Sequence, residues 1–166
     1  MSTNNSVNSS LRTVEWKNNK VVMIDQTKLP NELVFVEYDD YNQVADAIRT
    51  LVVRGAPAIG ISGAFGLALA VLQSNATTKE KLLSDLEKAK QILFKTRPTA
   101  VNLQWGLEKI MKVANSGDSI EQIKEFVINK AKIMADEDIE INKIMGKNGS
   151  VLFDNNDTIM THCNAG

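Results

Sequence analysis

Residues 56–72 form a run of 17 without a charged side chain, apolar apart from one serine, with Pro57 near its start and glycines at 60, 63 and 66. A helix that apolar on every side belongs either in a membrane or in the middle of a globular core. Seventeen residues sit at the short limit of the roughly 17 to 25 that a spanning helix needs. The proline and three glycines add to the case for a buried core helix. A chain of 166 residues with 43% hydrophobic content can bury such a helix in one ordinary domain.

Strand signals precede this run. RTVEW and KVVMID, within residues 12–25, flank Lys17-Asn18-Asn19, where asparagines tolerate the positive φ of a tight turn, so a hairpin is expected. ELVFVEY, after Pro30, alternates and is rich in β-branched and aromatic residues, as a third strand would be. Asp39 or Asp40 can cap a helix over residues 41–52. From there to about Gly146 the pattern is helical. Leu82, Leu83, Leu86, Ile92 and Leu93 share one face, and a helix after Pro98 carries residues 102–113. Ser119 with Gln122 makes a capping box for a last helix through Ile123, Val127 and Ile133, which Gly146 and Gly149 stop. Asp154 to Asp157 are turn formers, and residues 158–162 read as a strand entering a strand-turn-helix unit at Asn164-Ala165-Gly166.

The expected class is α+β: antiparallel strands plus a helical bundle, then the first strand of a truncated α/β domain, which the family resemblance given below implies is Rossmann-like. The expected divisions are a disordered tail at 1–10, an α+β domain at 11–149 and the start of the second domain at 150–166.

The net charge of −1 calls for neither a nucleic-acid nor an anionic-membrane partner, so any anion site must be local. One cysteine cannot form an internal disulfide, and the polar start MSTNNSVNSS lacks the features of a secretory signal, making the cytoplasm the expected compartment. One His and one Cys make no metal-ligand cluster, and neither a Walker loop nor GxGxxG occurs, so no metal or organic cofactor is expected.

Two corners carry anion chemistry. Val53-Arg54-Gly55-Ala56-Pro57 puts an arginine at a helix N-terminus, where free N–H groups point outward and glycine lets a ligand approach the backbone. A guanidinium grips two phosphate oxygens at once. The same residues also fit an arginine that solvates a helix start, with the glycines serving helix packing. Arg97-Pro98-Thr99 repeats the arrangement, and alone it also fits an interhelix loop with Arg97 neutralising a carbonyl end. Cys163 sits where a buried strand opens into a loop. A lone cysteine is commonly an inert core residue, and His162, on the opposite face of a strand, forms no dyad with it.

LRTVEW, DQTKLP, VVRGAPAIGISGAFGLALA, RPTAVNLQWGLEKI and the terminal THCNAG together resemble the methylthioribose-1-phosphate isomerase family of methionine salvage, whose superfamily includes the regulatory subunits of a translation initiation exchange factor. The resemblance covers nearly the whole chain. It implies that Arg54, Gly55, Ala56 and Arg97 contact a phosphorylated sugar and that Cys163 is the active-site cysteine. It also implies an acid/base aspartate from a second domain beyond Gly166. The partners implied are that missing domain or a complementing chain, and a homodimer once complete. Related ribose 1,5-bisphosphate or 5-deoxyribose 1-phosphate isomerases would share both arginines, and a non-catalytic binding or regulatory module is the alternative class.

Overall fold

The computed structural model describes residues 11–162; the tail read at 1–10 and Cys163 lie outside them. Among the described residues an antiparallel meander comes first, β1 (Val14–Lys17), β2 (Lys20–Ile24) and β3 (Phe35–Tyr38), in the order β1-β2-β3. Asn18 and Asn19 both take positive φ, 51° and 59°, which is the two-residue turn whose twist matches a hairpin. Lys17 pairs with Lys20 across it, and Val21 with Tyr38 on the other side. Val14, Val21 and Met23 enter the core, where the Trp16 ring meets Phe65 at 5.7 Å.

Among the described residues five helices follow: α1 (Tyr41–Arg49), α2 (Ala56–Gln73), α3 (Lys79–Thr96), α4 (Val101–Ser116) and α5 (Ile120–Ser150). The apolar run is the centre of the bundle. Every residue of α2 from Ile59 to Val71 is buried, with α1, α3, α4 and α5 packed around it. That enclosure is why α2 needs no polar face. By length and composition α2 would also pass as a membrane span, but 72% of it is buried within the fold, as in the core helix of a globular domain.

The α+β class holds, and several boundaries differ from expectation. The first helix ends at Arg49, not near Val52, because the Val52 carbonyl accepts from the Gln26 N–H at 2.9 Å and Leu51 turns to φ 64° to reach that partner. α5 passes through Gly146 and Gly149 and ends at Ser150, so neither glycine stops it. Its buried face is Ile123, Val127, Ala131 and Met134, whereas Ile133 is half exposed. Beyond Ile139 the helix leaves the core and presents Ile141, Ile144 and Met145 to solvent. Residues 158–162, read as a strand, are irregular and exposed; among the described residues no strand lies beside them to take their hydrogen bonds. The first strand of a Rossmann-like unit is therefore not formed here.

Candidate functional site

Three of the five helices close their first turn with a side chain: Asp40 accepts from the Asn42 N–H, Thr78 from the Lys81 N–H and Ser119 from the Gln122 N–H. α2 and α4 do not. Their N-caps, Gly55 and Ala100, offer no side-chain acceptor, and neither helix has an acid in its first turn. The N–H groups of Ala56 and Ala58, and of Val101 and Asn102, consequently lack intrahelical partners. These are the helices that follow Arg54 and Arg97.

The chain enters α2 through Gly55 at φ 92°, ψ 132°, a conformation that side chains rarely adopt. Ala56 and Pro57 are exposed, as is Arg54. The Arg54 carbonyl accepts from Gln26 Nε2 at 3.3 Å, which anchors the corner to the end of β2. Its guanidinium forms no ion pair among the described residues. Half-buried Arg97 caps the end of α3, donating its N–H to Phe94 O at 3.3 Å, while its carbonyl accepts from the Ala100 N–H at 3.0 Å.

The two helix starts are pressed together. A Cβ on Gly60 would lie 2.7 Å from the Asn102 carbonyl oxygen, and one on Gly106 would lie 2.4 Å from that of Gly60. Gly60 is four residues, about 6 Å of helix, beyond Ala56, and Asn102 is in the first turn of α4.

A cavity of about 810 Å³ opens beside the α2 corner, a size suited to a small molecule. Arg54 and Gly55 form one wall, Arg12 and Gln26 another, and Asp138, Asn142 and Lys143 of α5 a third. Arg12 is paired with Asp136 at 2.7 Å and Lys143 with Glu140 at 2.8 Å. Partial burial raises the Asp138 pKa above the ordinary carboxylate value, and hydrogen bonding with Asn142 opposes this in smaller measure. Arg97 does not line this cavity, Cys163 lies outside the described residues, and His162 is exposed. Among the described residues no cluster of three or more His, Cys, Asp or Glu could hold a metal.

The α5 wall was not anticipated. Its signal is a stripe at helical spacing, Ala135, Asp138, Ile139, Asn142 and Lys143. By sequence alone such a stripe cannot be told from a solvated face.

The model of the initiation factor 2 subunit family matches residues 52–166. A methylthioribose-1-phosphate isomerase of Geobacter metallireducens is 45% identical over 159 residues, which is 95% of this chain and 46% of that protein. The 5-methylthioribose 1-phosphate isomerase structure from Pyrococcus horikoshii OT3 superimposes with a TM-score of 0.82 at 46% identity, over 86% of this chain and 40% of that one. The translation initiation factor eIF-2B subunit delta structure from A. fulgidus does so with the same TM-score at 42% identity, over 89% and 43%. The chain thus spans about half the length of the curated relatives it matches.

Proposed function

This chain belongs to the initiation factor 2 subunit family, and from that premise we propose that it is the phosphate-holding part of an aldose-ketose isomerase that acts on 5-methylthioribose 1-phosphate in methionine salvage. The observation that carries the reading is the juxtaposition of two uncapped helix N-termini, each preceded by an arginine, pressed together at Gly60 and Gly106. Uncapped N–H groups at the positive end of a helix favour an anion, and an adjacent guanidinium adds paired donors. In this proposal Arg54, Gly55 and Ala56 hold the phosphate, with Arg97 approaching from the neighbouring corner.

The reaction would move hydrogen from C2 to C1. Because the phosphate blocks the anomeric carbon, the ring must first open with protonation of its oxygen. Phosphate capture then fixes C1 and C2 beside the reacting groups, a positioning effect estimated at up to about 7–11 kcal/mol in well-oriented systems. The Cys163 thiolate serves as the base, or stabilises a direct hydride shift. The remaining contacts come from a partner segment equivalent to the second half of the relatives. The greater length of those relatives supports this, as does the apolar stripe Ile141, Ile144 and Met145 on the overhanging part of α5.

Co-expression with the C-terminal half of the Geobacter metallireducens protein should yield isomerase activity that Cys163→Ala abolishes. Arg54→Ala should weaken phosphate binding by about 1.5–3 kcal/mol, roughly tenfold or more. Unchanged phosphate affinity in a folded Arg54→Ala protein would remove the anion reading. The equal structural likeness to an initiation-factor subunit favours a second reading, a non-catalytic regulatory module. A substrate panel including ribose 1,5-bisphosphate and 5-deoxyribose 1-phosphate separates the sister isomerases; no turnover of any by the completed protein would favour the module.

A further inference from the structure

Four charged side chains line the cavity beside α2: Arg12, Arg54, Asp138 and Lys143. Two are already matched, Arg12 by Asp136 and Lys143 by Glu140. The other two, Arg54 on the α2 corner and Asp138 on α5, form no ion pair with each other or with any described residue. A guanidinium and a carboxylate are thus held on different walls of one hollow, with about 810 Å³ between and around them.

We infer that Asp138 is the hydroxyl-binding residue of this cavity, so that the site takes a phosphate ester of a polyhydroxylated carbon chain in preference to bare phosphate. The inference rests on the reading of Arg54 as the phosphate anchor and adds the other end of the ligand. An ionised carboxylate only accepts hydrogen bonds, so a second anionic group in front of Asp138 would be repelled. Hydroxyl groups are the complementary donors, and two on neighbouring carbons can engage both carboxylate oxygens. Asn142, on the same lining, carries an amide with a second N–H to donate to a hydroxyl lone pair. Asn142 lies one turn from Asp138 and is oriented by its Nδ2, which donates to the Asp138 main-chain carbonyl at 2.8 Å. The walls also take some water from the carboxyl, which is why its pKa is raised, and a ligand hydroxyl restores what the walls remove. Polarity along the cavity follows: phosphate at Gly55 and Arg54, hydroxyls toward the middle of α5.

Calorimetry on the full chain at pH 7.5, with ribose 1-phosphate and inorganic phosphate as the two probes, tests this. The chain should prefer the ester by about tenfold, the worth of one hydrogen-bonded charged group. Asp138→Ala should abolish that preference while leaving phosphate affinity unchanged or slightly higher. Asp138→Asn, which keeps a hydrogen-bonding side chain, should retain part of the preference, and Arg54→Ala should weaken both probes alike. If the parent binds both probes equally, or if Asp138→Ala and Asp138→Asn keep the full preference or lose both affinities together, Asp138 is not the hydroxyl reader although the Arg54 reading stands. If the parent binds neither probe, the phosphate anchor itself is wrong and the inference falls with it.

Discussion

Gly106→Ala is the most direct test of how the two helix starts are held together. The new Cβ would lie 2.4 Å from the Gly60 carbonyl oxygen and 3.1 Å from its carbonyl carbon. Ordinary contact begins near 3.4 Å, so α4 and α2 must part by about 1 Å at this point. Both atoms belong to backbone, and no rotamer change relieves the clash. Overpacking of this kind costs about 1–3 kcal/mol, and the rigid neighbour places Gly106→Ala at the upper end. Alanine returns about 1 kcal/mol through its better helix propensity, leaving a net loss of about 2 kcal/mol. Urea unfolding should show a lower midpoint with an unchanged slope, and Tm should fall by roughly 4–8 °C. Gly146→Ala is the internal control, because a Cβ there has nothing within 4 Å. It should be neutral or stabilising by up to about 1 kcal/mol. If Gly106→Ala matches or exceeds the parent in stability, the close approach of α2 and α4 is not what requires glycine there.

Two further outcomes follow from the site. Gly55→Ala forces a side chain into φ 92° and should cost about 1–3 kcal/mol by urea denaturation, with phosphate affinity falling as the Arg54 corner shifts. Asp138 has a folded pKa above its unfolded one, so the native state holds the proton more tightly and stability declines as pH rises between the two values. Asp138→Asn should therefore unfold at a higher temperature than the parent at pH 7.5, and the difference should shrink toward zero below the ordinary carboxylate range. A constant difference at every pH would mean that the charge of Asp138 is not the cause.

Local chemistry was legible wherever a few consecutive residues decide the outcome. Asn18-Asn19 specify the hairpin, Asp40 and Ser119 their helix starts, and an uncharged run of 17 its place at the centre. Misplaced boundaries have long-range causes. α1 stops early because Val52 is tied to Gln26, a residue 26 positions earlier in the chain. Ile133 yields to Met134 because the packing of α5 against α2 and α4, and not hydrophobicity alone, selects the face. The site divides in the same way: the Arg54 corner could be read locally, whereas its facing wall comes from α5, more than 80 residues on. No short window contains that pairing.

The distribution of caps ties stability to the candidate anion site. A side-chain N-cap is worth about 1 kcal/mol, whereas burying one large apolar side chain contributes about 1.5–3 kcal/mol. α2 buries thirteen residues, Phe65, Leu67 and Leu69 among them, so an uncapped start barely weakens it. α4 is likewise fixed by Leu103, Leu107 and Ile110. The helices able to leave their N–H groups free are therefore those the core already holds in place. A rigid pair of open helix starts meets the first requirement of an anion site, because its donors are positioned before the ligand arrives and lose little freedom on binding it. In this fold the apolar centre stabilises the domain, and it also leaves the polar ends of α2 and α4 free to bind.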